Sequence, residues 1–409
     1  MNRGTLLVVG HGMAGHRLVE EVRARDRAGR WRIVAVTDEP HPAYDRVALS
    51  TYLAGRTIDE LSLVRAELRN DPLVAARTGT AVTAIDPGAR TAHCADGATI
   101  HWDALVLATG SRPFVPPMPG HDLPGCFVYR TVADLDAIRA AAVPGRPGVV
   151  VGGGLLGLEA ADALRRLGMS AHVVELAPYL MPMQLDADGG TLLKGLIAAL
   201  GVRPHCGART VSVDAGPDGR VAGVTLAGDP PARLAAELVI FAAGVRPRDD
   251  LASAAGLPRA ERGGILVDGH CRTGVPGIWA IGECAAPDGR AYGLLAPGYR
   301  MAETVAAQLT GPPGEPLREI DTSTTLKVLG VDVASFGDAH ATTPGALRLG
   351  HTDHARSRYA SLVLDANAET LLGGTLVGDT ANYAPLAALT GRPLPTEPER
   401  LLADGALTR

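Results

Sequence analysis

Two glycine triplets carry the first legible chemistry: Gly10, Gly12 and Gly15, then Gly152, Gly154 and Gly157. Each is a Gly-x-Gly-x-x-Gly at the end of an apolar run, Leu6–Val9 in one case and Val149–Val151 in the other. In such a turn the first glycine lets the chain leave a strand sharply. The second lets backbone N–H groups approach a pyrophosphate, and the third lets the next helix pack closely on the strand. The helix N-terminus then favours the phosphate charge. Helix-like segments follow, His16–Arg27 and Leu158–Leu167, and then second apolar runs, Arg32–Thr37 and Ala171–Val174. These end on acids, Asp38 and Glu175, the acceptors that a ribose hydroxyl needs. Glu39 adjoins Asp38, and the sequence leaves open which of the two faces the ribose. One triplet alone could be a chance loop. Strand, glycines, helix, strand and acid in that order, twice, predict two dinucleotide sites.

Such sites need parallel strands with helices between them, so the chain is expected to be α/β. Ile100–Ala108 reads as a strand ending in Thr109-Gly110-Ser111, a turn suited to packing close to a cofactor. The proline-rich Arg112–Gly120 follows as a crossover. Ala236–Ala243 is a similar strand ending in Gly244-Val245-Arg246-Pro247. Gly277–Ile281 leads into Gly282-Glu283, and a helix-like run extends from Tyr299 to Leu309. Gly110, Gly244 and Gly282 thus follow strands at points where backbone must approach a cofactor. Gly311-Pro312-Pro313-Gly314 reads as a linker. Beyond it Leu326–Val333, Ser361–Leu364 and Leu371–Val377 are expected as strands of a third unit.

Composition bounds the function. Over 409 residues 46% are hydrophobic, and glycine plus proline make about a fifth, too little for low-complexity disorder. A net charge of −5, with Lys194 and Lys327 the only lysines, leaves no electrostatic footprint for nucleic acid. No apolar run approaches the roughly 18 residues of a membrane span. The chain enters its first strand without a basic-then-apolar leader, so a cytoplasmic protein is expected. The five cysteines (Cys94, Cys126, Cys206, Cys271, Cys284) show no Cys-x-x-Cys. They read as reduced structural thiols rather than a disulfide framework, a redox pair or iron–sulfur ligands. His351 and His354 around Asp353 read as a surface loop, and no metal site is expected. Arg23, Arg25, Arg27, Arg30 and Arg32 read as a solvated helix end, with docking of an acidic partner as the alternative.

The two triplets, with Ala108-Thr109-Gly110, Ala242-Ala243-Gly244-Val245-Arg246-Pro247 and Gly282-Glu283, resemble the pyridine nucleotide–disulfide reductase-like flavoproteins. A narrower resemblance is to the flavin-containing front end of the assimilatory nitrite reductase large subunit. Pro42–Ser50, Glu175–Asp186, Tyr292–Tyr299 (which contains Pro297) and Thr325–Asp338 carry it. The resemblance implies two Rossmann-like domains, the NAD-binding one inserted into the FAD-binding one, with a C-terminal α+β interface domain. The implied boundaries are 1–113 and 244–311 for FAD, 114–243 for NADH, and 312–409 for the interface domain. It also implies that the first triplet holds FAD and the second NADH.

In that resemblance Glu283 bonds the flavin's ribityl chain, and Arg46 lies near the phosphates or the isoalloxazine. Glu159 stands near the nicotinamide, and Thr109, Gly110 and Pro297 lie at the flavin. Glu175 favours NADH, because a carboxylate accepts from a 2′-hydroxyl and repels a 2′-phosphate, and Leu176, Ala177 and Pro178 offer no cation. The region after the first acid lacks the cysteine pair of a disulfide reductase. No cysteine follows Cys284, so the iron–sulfur and sirohaem modules of the nitrite reductase subunit are not expected. The expected activity is an NADH-dependent FAD oxidoreductase passing electrons to a separate acceptor: a nitrite or nitrate reductase-type partner, a ferredoxin-like protein or a small molecule. The alternatives are a self-sufficient flavoenzyme and a flavin-binding redox sensor. The third unit could form a homodimer or dock a partner.

Overall fold

The computed structural model describes residues 3–312, 314–317 and 320–402. Pro313 of the expected linker lies outside the described residues. The chain forms two compact units, Met1–Arg112 with Val245–Asp321, and Pro113–Gly244 with Thr322–Arg409.

The first unit is built on a five-stranded sheet in the order Ile278–Ala280, Ala104–Leu107, Gly4–Val9, Trp31–Val36, Val74–Arg77. Every pairing is parallel. Leu6, Leu7 and Val8 are wholly buried, as a strand covered on both faces requires. The helix Met13–Arg25 runs back from the first strand and packs on Leu295–Thr310. Its expected start at residue 16 falls three residues late, because the helix begins inside the glycine triplet. The strand expected over Ile100–Ala108 is two pieces, Thr99–His101 and Ala104–Leu107. Asp103 breaks the run by accepting the Thr5 N–H at 2.7 Å. Three of the five clustered arginines face acids: Arg23 bonds Asp71, Arg25 bonds Glu21, and Arg30 lies near Asp26.

The second unit repeats the plan, with strand order Arg203–Cys206, Ser170–Glu175, Pro147–Val151, Leu238–Phe241, Cys126–Val128, again all parallel. The helices Leu155–Arg166 and Ala187–Ala199 connect its strands. Its C-terminal part is a five-stranded antiparallel sheet, Thr324–Val328, Val331–Gly337, Leu371–Val377, Arg358–Leu364, Leu347–Asp353. The single strand expected over Leu326–Val333 is therefore a hairpin. Leu329 (φ 50°) and Gly330 (φ 89°) make the two-residue turn that twisted strands favour. His351 and Asp353 lie on the edge strand Leu347–Asp353 rather than on a loop. That strand has largely exposed side chains, and its apolar alternation stops after Leu347-Arg348-Leu349.

One buried carboxylate joins the antiparallel sheet to the parallel one. Asp186, 2% exposed, caps the helix Ala187–Ala199 by accepting the Gly189 N–H. It also accepts the Tyr359 hydroxyl at 2.7 Å and has Arg348 at 3.7 Å. No described helix is long and apolar enough to cross a membrane.

Candidate functional site

Both glycine turns have the same backbone geometry. Gly10 takes φ +103° and Gly152 φ +117°, the left-handed region where a side chain is strained. A Cβ on Gly10 would stand 2.1 Å from the Ala108 carbonyl oxygen, and one on Gly152 2.4 Å from that of Ala242. Gly15 and Gly157 face the carbonyls of Gly10 and Gly152, at 2.1 and 1.9 Å from an added Cβ. Gly12 and Gly154 are the N-caps of Met13–Arg25 and Leu155–Arg166, and neither helix has a side-chain cap. Their first N–H groups thus remain available to an anion.

The acids after the two second strands differ. Asp38 is exposed and lines a pocket with Gly10, Thr37, Thr80, Thr109 and Arg248. Glu39 follows it in the bend after the strand, which ends at Val36, and faces other partners. Its carboxylate takes the Arg46 guanidinium and the Tyr44 hydroxyl, the latter at 2.6 Å. Of the two acids left open by the sequence, Asp38 shares the pocket with Gly10. Arg46 stands against Gly12, with Nε 3.9 Å from where a Cβ would be. Burial works against its charge, but Tyr44, Glu39 and Glu283 outweigh it and raise its pKa.

A second pocket beside Gly12 is lined by His11, Glu39, Tyr44 and Arg46. The Leu63 carbonyl, 3.0 Å from His16 Nε2, can only accept, so that nitrogen carries the hydrogen. The neutral His16 Nδ1 then accepts from His11 Nε2, 3.4 Å away. His11 Nδ1 is left as a buried acceptor with no partner among the described residues. Burial first, and then the neighbouring His16, push His11 down to about 4. The Thr80 hydroxyl in the first pocket is likewise buried with no partner among the described residues. Cradles that a single Cβ would fill, with orphaned polar atoms in their walls, fit a dinucleotide.

Ser111 donates to Glu283 at 2.7 Å, which fixes the carboxylate beside the turn of Gly282 (φ +74°). An added Cβ on Gly282 would meet Ala14, and one on Gly298 would meet Gly282 itself. The start of the helix Leu295–Thr310, with Pro297 buried in its first turn, thus closes on the start of Met13–Arg25. The Thr109 hydroxyl donates to the Arg248 carbonyl at 2.5 Å, and Gly110 (φ +68°) accepts the Arg248 N–H at 2.9 Å. Sequence reading missed His11, Thr80, Ser111 and Arg248. Only His11, an imidazole inside a glycine motif, offered a signal.

In the second unit Glu175 is 9% exposed and clamped. Its Oε2 accepts the Gly153 N–H at 2.6 Å and its Oε1 the Ala177 N–H at 2.7 Å. Leu176 beside it is exposed. Gly244 (φ +107°) follows the Ala242–Ala243 turn packed on Gly152 and accepts the Phe114 N–H. Glu159 lies mostly buried in the second turn of Leu155–Arg166. Burial, and then the charge of Asp162, push its carboxyl up to about 7. Asp162 itself engages Arg165 and Arg166, so neither cation is left for Glu159. The adjacent Tyr129 hydroxyl is buried without a partner among the described residues, and burial with these two acids raises its pKa.

Two parallel sheets, each carrying a glycine turn and a terminal acid, define a two-dinucleotide oxidoreductase fold. The chain belongs to the pyridine nucleotide-disulphide oxidoreductase family, which matches residues 4–311, and residues 323–390 match the rubredoxin NAD+ reductase C-terminal domain. The family uses FAD and NAD(P)H. The nitrite reductase [NAD(P)H] large subunit of Klebsiella oxytoca is 48% identical over 404 residues, 98% of this chain and 42% of that protein. The assimilatory nitrate reductase electron transfer subunit of Bacillus subtilis is 35% identical over 338 residues, 82% of this chain and 43% of that protein. The chain therefore spans less than half the length of these relatives. The crystal structure of the ferredoxin reductase for the CYP199A2 system of Rhodopseudomonas palustris superposes with a TM-score of 0.85 at 28% identity, covering 98% of each chain.

Proposed function

We propose that this chain is an NADH-dependent FAD oxidoreductase that passes electrons to a separate acceptor, a nitrite or nitrate reductase-type partner or a ferredoxin-like protein. The observation that carries the reading is the pair of matched glycine turns, one followed by an open acid and the other by a clamped one. The electron-transfer role of the Bacillus relative and the ferredoxin reductase likeness support the acceptor class.

In this reading the first unit holds FAD. The N–H groups after Gly12 bind its pyrophosphate, with Gly10 and Gly15 shaping the turn, and Asp38 accepts from its ribose. Arg46 keeps a fixed positive charge at the same turn, oriented by Glu39 and Tyr44. Glu283, held by Ser111, accepts from the flavin's polyol chain, and Thr109, Gly110, Gly282 and Pro297 give the backbone its close approach. Bound FAD supplies the hydride acceptor and the two-electron store. The second unit holds NADH. Gly152, Gly154 and Gly157 cradle its phosphates, Gly244 borders the turn behind them, and Glu159 stands toward the nicotinamide. Glu175, with a carboxylate already fixed by two N–H groups, accepts from a 2′-hydroxyl through its remaining lone pairs and rejects a 2′-phosphate. We place the protein in the cytoplasm, where thiols remain reduced.

Anaerobic stopped-flow tests this reading. The purified chain should carry FAD, and its absorbance should bleach faster with NADH than with NADPH. Absence of flavin, or faster bleaching with NADPH, overturns the assignment. Turnover with ferredoxins and with nitrite reductase catalytic modules, compared with turnover on oxygen alone, then tests the acceptor.

A further inference from the structure

Arg248 stands 210 positions from Asp38 in sequence, yet its Nη1 lies 3.1 Å from Asp38 Oδ2. Both side chains line the Gly10 pocket, where the Thr80 hydroxyl is buried and has no partner among the described residues. The two are 41% and 50% exposed, and an ion pair that open to water contributes little to stability. Its placement has another use. The root of Arg248 is fixed from both sides, by its N–H on the Gly110 carbonyl and by the Thr109 hydroxyl on its own carbonyl. Its head is free to reach, and among the described residues the guanidinium hydrogen-bonds Asp38 alone. A guanidinium has five N–H donors, so most remain for a ligand. The pocket also has apolar walls at Val9, Val36 and Leu251, suited to an aromatic base.

We propose that Arg248 is an adenosine-anchoring residue of the first unit. It holds the Asp38 carboxylate at the pocket wall, where a ribose diol can donate to it, and lends its other donors to the same half of the dinucleotide. The site thereby selects a flavin that carries adenosine. The inference rests on the reading that this unit takes FAD, and the test separates the two.

The full chain is stripped of flavin and titrated with FAD and with FMN, following the quenching of flavin fluorescence. Arg248→Ala should weaken FAD by about tenfold, the loss of one charge-assisted bond, and leave FMN unchanged. Asp38→Asn should do the same, and the double variant should bind FAD no worse than about the sum of the two. Arg248→Lys, with the charge but not the fork, should fall between. Unchanged FAD affinity in Arg248→Ala, or equal weakening of FAD and FMN, overturns the role of Arg248. Failure of the unsubstituted chain to bind FAD overturns the FAD reading itself, and this inference with it.

Discussion

Replacing Glu159 with glutamine should stabilise the second unit at pH 8 and change it far less at pH 5. Burial, with the charge of Asp162, raises the carboxyl from its ordinary 4.5 to about 7. The folded chain therefore keeps a proton that the unfolded chain has lost across that interval. The contribution of Glu159 to stability is greatest below pH 4.5, falls as pH rises through about 7, and is flat above. The full interval is worth about 3 kcal/mol, since each tenfold in proton affinity is about 1.4 kcal/mol. Most of it falls between pH 5 and pH 8. For a unit of this size 1 kcal/mol moves the melting temperature by roughly 2–4 °C. Glutamine, neutral throughout, removes the penalty. The melting temperature of the second unit, followed without nucleotide, should thus drop by about 5–10 °C more between pH 5 and pH 8 in the unsubstituted chain than in Glu159→Gln. Parallel pH slopes in the two proteins would show that Glu159 is ionised normally and that the packing argument is wrong.

Gly157→Ala drives a methyl into the Gly152 carbonyl, backbone against backbone, so NADH-driven flavin bleaching should collapse while the FAD-to-protein ratio stays near one. Bleaching at the original rate would refute the turn's role. Glu175→Ala frees the Gly153 and Ala177 N–H groups and should raise the NADH KM about tenfold while narrowing the preference over NADPH. Loss of FAD instead would mean that the two units are assigned the wrong way round. Tyr359→Phe leaves Asp186 buried without its hydroxyl donor, which should cost the second unit about 1–3 kcal/mol in thermal unfolding with flavin content unchanged. An unaltered melting temperature would contradict this.

What the sequence determined by itself is what contiguous residues can specify. A glycine triplet, the strand before it and the helix after it lie within about twenty positions, and each glycine answers a local steric demand at Gly10, Gly15, Gly152 and Gly157. Turns hidden in apolar runs were less legible. Leu329-Gly330 sits inside a β-branched stretch that reads as one strand, because a two-residue hairpin needs only a change of φ sign. The edge strand Leu347–Asp353 loses, after Leu349, the alternation that burial of one face imposes. The tertiary structure alone decided which side chains meet. It turned Asp38 toward the Gly10 pocket and Glu39 toward Arg46, in a bend beyond the strand's end at Val36 where no periodicity assigns a direction. It brought Arg248 to Asp38 and Ser111 to Glu283 across long stretches of sequence. It also gave Glu159 its proton affinity, since desolvation belongs to a place in the fold and not to a residue type.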